Sequence, residues 1–183
     1  MTEETLKKVA ELVKDKNIII VADEIYEQLT YDGKRAVSFA SLPGMKDKTI
    51  LMNGFSKYFA MTGWRLGYIA APKQYIEPMI RMSFLMTAGA ANFVQYAAVE
   101  ALRQDKSICE KMRLEYKRRR DYLYEKLNQI DKLSCLKPEG AFYLFLNIKQ
   151  TGMSSEKFSQ FLLEEAGVAT IPGSVFGETG EGF

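Results

Sequence analysis

Three short apolar runs constrain the fold of this chain more than any other feature: Ile18-Ile-Ile-Val-Ala22, Thr49-Ile-Leu-Met52 and Gly67-Tyr-Ile-Ala-Ala71. None alternates polar with apolar residues. A strand of that kind expects cover on both faces, as in a parallel sheet with helices above and below it. Each run stops at residues that end strands, namely Asp23-Glu24, Asn53-Gly54 and Pro72.

Amphipathic stretches fill the intervals. Thr2 is placed to cap a first helix, with Glu3 and Glu4 at its positive end and Leu6, Val9, Ala10 and Val13 along one stripe. Glu27 to Ser41 reads as a loop or small hairpin turning at Asp32-Gly33. Helices are expected from about Lys73 to Met86, bent or interrupted at Pro78, and from about Asn92 to Gln104. A long helix over roughly Ser107 to Ile130 follows. Beyond it come a doubly apolar strand Ala141–Leu146, a helix Ser155–Ala166 ended by Gly167, and a short strand Val168–Ile171. The expected fold is α/β: a three-layer αβα arrangement around a mostly parallel sheet over residues 1–106, an incomplete large domain. The linking helix and a small α+β domain, itself truncated, occupy residues 107–183.

The chain contains no histidine, which removes Ser-His-Asp and Cys-His catalysis and nearly every zinc arrangement. Cys109 and Cys135 lack CxxC spacing and neighbouring ligand types, so no metal site is expected. Both read as ordinary thiols of a reducing, cytoplasmic setting. Lys and Arg number 25 against 23 Asp and Glu, a balance that argues against a nucleic-acid partner or a polybasic membrane anchor. The one basic run, Lys117 to Arg120, reads as a solvated helix face. No apolar run is long enough to span a bilayer.

Three charged residues stand where a charged cofactor would need them. Asp23 closes the first strand and Lys57 lies a few residues beyond the second. In open α/β sheets, ligands collect at the carboxyl ends of strands, so an acid and an amine from two such ends can face one cavity. Arg65 lies between Gly63 and Gly67, where a bare backbone permits close approach, and its planar fork suits a phosphate monoester. Singly, each has an ordinary explanation as a turn former, a solvated amine or a surface ion pair. Their combination points to chemistry.

The segment Ser56-Lys57-Tyr-Phe-Ala-Met-Thr-Gly63-Trp64-Arg65-Leu66-Gly67-Tyr68 closely resembles the cofactor-lysine signature of class I aminotransferases, a fold-type I pyridoxal-phosphate family. Upstream, Val21-Ala-Asp23-Glu24-Ile25-Tyr26 is similar to that family's other marker, at the expected distance before the lysine. Further similarity runs through Lys137-Pro-Glu-Gly140-Ala-Phe-Tyr143 and Ile171-Pro-Gly-Ser-Val-Phe-Gly177, so the resemblance covers essentially the whole chain. It implies that the cofactor is pyridoxal 5′-phosphate and that Lys57 carries it as a Schiff base, then moves a proton during catalysis. It implies further that Asp23 salt-bridges the pyridine nitrogen and that Tyr26 hydrogen-bonds the 3′ oxygen. Arg65 then binds the phosphate, with a further hydrogen bond from Ser56. The physics agrees: only a protonated pyridine withdraws electrons well, and a buried carboxylate beside it raises the nitrogen's pKa. A lysine must be uncharged to attack an aldehyde, and burial beside cationic groups favours that form. Phe55, Tyr58, Phe59 and Trp64 are read as packing.

The resemblance also implies a longer parent, of which this is a C-terminal portion. A phosphate-binding helix start, a ring-stacking aromatic and an Asn-Pro-Thr-Gly turn are expected before residue 1, and a carboxylate-binding arginine after Phe183. Met1 is then an internal residue or an introduced start. The expected activity of the parent is transfer of an amino group from an amino acid to a 2-oxo acid, in a homodimer. The fragment alone is expected to be inactive, and its open sheet edges and bare apolar faces to favour association. Two other readings share these residues: a C–S lyase or synthase of the same fold, and a non-catalytic regulator domain that binds the cofactor.

Overall fold

Helix α1 (Glu3–Val13) starts where the Thr2 hydroxyl accepts the Thr5 N–H at 3.2 Å. Its far end is closed by Lys48, whose ammonium donates to the carbonyls of Val13, Lys14 and Lys16 at 3.1, 2.6 and 2.8 Å. A cation on the unpaired last carbonyls opposes the negative end of the helix dipole. Leu6 and Ala10 bury against Phe39, Leu42 and Met45, with Ile20 and Ala22 packed on the same cluster. These are features of a computed structural model that describes residues 1–183.

The sheet is built from β1 (Ile20–Asp23), β2 (Thr49–Gly54) and β3 (Gly67–Ala70), in that order. β1 and β2 are parallel, with Ile20 opposite Thr49 and Asp23 opposite Met52. β2 and β3 are antiparallel, with Gly54 opposite Gly67. The expectation of a mostly parallel sheet is corrected here. The chain returns from β2 through residues 55–66 without a crossover helix, and so direct a return can only run antiparallel. β1 also begins later than its apolar run, because Ile18 and Ile19 fall outside the ladder. Nor is it covered on both faces: Ile20 and Ala22 turn to the core, while Val21, on the other side of the pleat, is 61% exposed.

Between β1 and β2 the chain makes the expected turn. Asp32 and Gly33 both take positive φ (56° and 73°), and the Lys34 N–H reaches the Tyr31 carbonyl at 3.0 Å. Helices α2 (Lys73–Thr87), α3 (Asn92–Arg103) and α4 (Ser107–Leu127) follow. α2 is continuous through Pro78, so of the two expected outcomes the proline does not interrupt the helix. No helix is long and apolar enough to cross a membrane.

The chain divides into two compact units, Met1–Arg113 and Leu114–Phe183. The division falls inside α4, because Glu110 and Arg113 bond to Tyr58 and to the Thr30 carbonyl of the first unit. In the second unit, β4 (Ser134–Cys135) and β5 (Leu146–Asn147) form a two-residue antiparallel ladder. Helix α5 (Ser155–Ala166) runs from a Ser154 cap on the Lys157 N–H to a left-handed Gly167. The tail is tied down, with Gly182 N–H on Ser155 Oγ at 2.9 Å and Phe183 stacked on Phe145.

Two expected strands in this unit do not form. Only Leu146 of the run Ala141–Leu146 enters a ladder, and Val168–Ile171 enters none. An apolar run becomes a strand only where a neighbour takes its backbone groups. The basic run is corrected too. Arg118 and Arg119 are exposed and pair with Glu115, but Arg120 is only 4% exposed. Four consecutive helical residues span every side of the helix and cannot share one face. Arg120 donates to the Pro138 carbonyl at 2.8 Å and to Asp121 at 2.7 Å. Lys117, Lys137 and Arg120 together hold the Asp121 carboxyl well below the usual carboxylate range.

Candidate functional site

Strand direction brings the predicted residues to one end of the sheet. β1 and β2 run parallel, so Asp23 and Gly54 end their strands on the same side. β3 runs back, so its first residue, Gly67, starts there too. Tyr26 follows β1, Ser56 and Lys57 follow β2, and Arg65 precedes β3.

The Lys57 loop rests on buried side chains. Phe55, Met61 and Ala98 form a core cluster on which Phe59 and Leu66 also pack. Its backbone is closed by Phe55 N–H on the Leu66 carbonyl at 3.3 Å and by Met61 N–H on the Phe55 carbonyl at 3.2 Å. Ala60 N–H returns to the Lys57 carbonyl at 3.2 Å, with Ala60 at φ 54°. The turn therefore holds Lys57 at its outer bend, where the side chain is half-buried. The Lys57 ammonium lies over the ring of Tyr26, 5.7 Å from its centroid.

Asp23 stands exposed on the open face of β1, one pleat beyond Val21, and Oδ1 accepts the Ile25 N–H at 3.2 Å. In this chain Asp23 is exposed and not buried as expected. Glu24 turns inward instead, and Oε1 accepts the Phe39 N–H at 2.9 Å. Tyr68, first after Gly67, is 49% exposed, and partial desolvation with the charges of Glu27 and Glu24 pushes its phenol above the ordinary range.

Arg65 takes a left-handed conformation (φ 51°) and donates from Nη1 to the Thr62 carbonyl at 2.7 Å. It lines an open cavity of about 850 Å3 with Trp64, Ser83, Thr87 and Phe93. Asp23, Tyr26, Ser56 and Lys57 do not line it. The glycines around Arg65 differ in their use. A Cβ on Gly63 would meet nothing, which leaves that side open, whereas one on Gly67 would meet the Asn53 carbonyl oxygen at 3.0 Å. Gly67 is therefore bare for β2 and not for a ligand. Of the aromatics read as packing, Phe55 and Tyr58 are buried, but Trp64 is 46% exposed on the cavity wall.

Sequence reading passed over two side chains near the site. Glu110 accepts the Tyr58 hydroxyl at 3.1 Å and Arg113 Nε at 2.8 Å. Burial and this hydrogen bond push the Tyr58 phenol up to about 12. Their only signal is an acid and a base three apart on a helix, a spacing common to any solvated helix face.

The donor set is an amine, a carboxylate, a phenol, a hydroxyl and a guanidinium at one sheet end. Those residue types suit a phosphorylated pyridine aldehyde, although only Arg65 among them lines the open cavity. Comparison with known proteins agrees in kind. The family model for aminotransferases of class I and II matches residues 1–182. An aromatic-amino-acid aminotransferase 2 from Thermococcus litoralis is 46% identical over all of this chain, which covers 47% of that protein. An aspartate aminotransferase from Pyrococcus abyssi is 45% identical, again over the whole chain and 47% of its own length. The crystal structure of an aromatic aminotransferase from Pyrococcus horikoshii superposes on the entire chain with a TM-score of 0.95 at 47% identity, 49% of that chain being covered. This chain thus spans about half the length of the curated relatives it matches.

Proposed function

This chain belongs to the aminotransferases of class I and II, and from that premise we propose that its parent protein transfers an amino group from an amino acid to a 2-oxo acid, with pyridoxal 5′-phosphate held by Lys57. The observation that carries the proposal is the Lys57 ammonium over the Tyr26 ring at the sheet end where Asp23 also stands.

The cofactor, when bound, supplies the electron sink that lets a proton leave the substrate α-carbon. The chain's own residues do the rest. Lys57 is the amine that holds the cofactor aldehyde and, once free, carries the proton. Its backbone is held in a turn closed by Ala60 N–H on the Lys57 carbonyl. Asp23 keeps the ring nitrogen protonated by charge attraction, and its Oδ2 is left for that contact while Oδ1 takes the Ile25 N–H. Tyr26 orients the 3′ oxygen. Arg65 commits one donor to Thr62 and offers the rest of its fork to the phosphate, with Ser56 adding a hydroxyl.

The parent is a cytoplasmic homodimer in this reading. Ile80, Phe84 and Leu85 on α2 are exposed, apolar surface that the rest of the parent or a partner subunit would cover. In this reading the 183 residues alone lack activity and most cofactor affinity, because the segments expected to complete the site belong to the longer parent. Relatives of nearly equal identity are named for aromatic and for aspartate donors, so the proposal stops at amino-group transfer and selects no side chain. Assay of the full-length protein with paired amino and oxo acids should show transfer, and cystathionine should not be cleaved. Cleavage without transfer would overturn the reading.

A further inference from the structure

Tyr58 follows Lys57 directly and is only 9% exposed. Its hydroxyl donates to Glu110 Oε1 at 3.1 Å, and Arg113 Nε donates to Glu110 Oε2 at 2.8 Å. Arg113 Nη1 then donates to the Thr30 carbonyl at 2.9 Å. Thr30 lies at the end of the segment that leaves β1 at Asp23 and passes Tyr26, where Leu29 N–H closes on the Tyr26 carbonyl at 2.9 Å. A hydroxyl, a carboxylate, a guanidinium and a carbonyl therefore connect the Lys57 loop to the Asp23–Tyr26 loop across the first turns of α4.

The sheet by itself does not set that spacing. The β1–β2 ladder ends at Asp23 opposite Met52, with Glu24 N–H on the Met52 carbonyl one step beyond. Past this point no ladder pair ties the two loops together. We propose that Glu110 and Arg113 are positioning residues that fix the distance between Lys57 and the Asp23–Tyr26 loop, an inference that rests on the cofactor reading above. The residue types suit the task. A carboxylate accepts on both oxygens, and a guanidinium donates in two directions from one rigid plane, whereas an ammonium's three donors turn freely about its stem. Both central bonds are charge-assisted and hold their geometry better than neutral ones.

The test uses the full-length protein, with pyridoxal 5′-phosphate capture followed by absorbance. E110Q, Y58F and R113M should each weaken capture on the order of tenfold. Each should also move the pH midpoint of the bound cofactor's visible absorbance in the same direction, with R113K lying between R113M and the parent. E110Q changes no volume and serves where Y58F fails to fold. Unchanged capture, or weaker capture with an unmoved pH midpoint, would overturn the positioning role, because a purely structural network lowers stability without retuning the site. K57A separates the two readings: if the parent captures no cofactor, or K57A captures it equally well, the cofactor assignment itself fails.

Discussion

Lys57 and Tyr26, from loops that follow two different strands, meet with the ammonium 5.7 Å from the ring centroid. Parallel pairing of β1 and β2 makes the meeting possible, since it puts both strand ends on one side of the sheet. The antiparallel return to β3 then delivers Arg65 to that side without a further crossover. Three strands of modest length thus bring amine, phenol, carboxylate and guanidinium to one end of the sheet.

Lys48 should act as a helix cap over distance. Lys48→Met keeps the length of the side chain but leaves the carbonyls of Val13, Lys14 and Lys16 without their cation. The expected cost is about 1–2 kcal/mol. Urea denaturation should show it as a lower midpoint with an unchanged slope.

Gly54→Ala should be worse tolerated than its small size suggests. The added methyl would meet the Gly67 Cα and the Leu66 carbonyl oxygen, each at 3.0 Å. These atoms are backbone and must separate β2 from β3, for about 1–3 kcal/mol. Gly63→Ala, where the new methyl meets nothing, should cost far less in the same denaturation experiment.

The sign of one pH effect follows from Tyr58. Its folded-state pKa is raised to about 12 by burial, aided by the hydrogen bond to Glu110, while an unfolded tyrosine titrates near 10. The folded state therefore holds the proton more tightly. That contribution to stability is fully present below about pH 10 and is lost as pH rises from about 10 towards about 12. Thermal melts across this range should fall less steeply for Y58F than for the parent sequence.

Much of this architecture was legible in the residues, and the exceptions share a cause. α5 begins and ends where Ser154 and Gly167 cap it, and α1 begins at Thr2, because caps are local chemistry. The Asp32-Gly33 turn is local in the same way. Ala141–Leu146 failed as a strand, and Ile18-Ile19 fell outside β1, because ladders need partners that no single segment reveals. The sense of β3 depended on the path of residues 55–66 and not on its own composition. In the site, Lys57 and Tyr26 were recognisable from their motifs. The Glu110–Arg113 connection was not, since only the packing of α4 gives that pair its partners.

Asp23→Asn should separate binding from chemistry in the full-length protein. The amide keeps the side chain's size and loses the charge proposed to keep the ring nitrogen protonated. Amino-group transfer should drop by at least on the order of a hundredfold. Cofactor capture should change much less, so equal losses in both would contradict the proposed role.

The most direct test of the central claim is to find where the cofactor attaches. The full-length protein is mixed with pyridoxal 5′-phosphate, reduced with borohydride, digested, and its peptides weighed by mass spectrometry. The label is expected on Lys57 at one equivalent, and on no lysine in K57A. Label spread over exposed lysines such as Lys73 or Lys157, with Lys57 unmodified, would contradict the account.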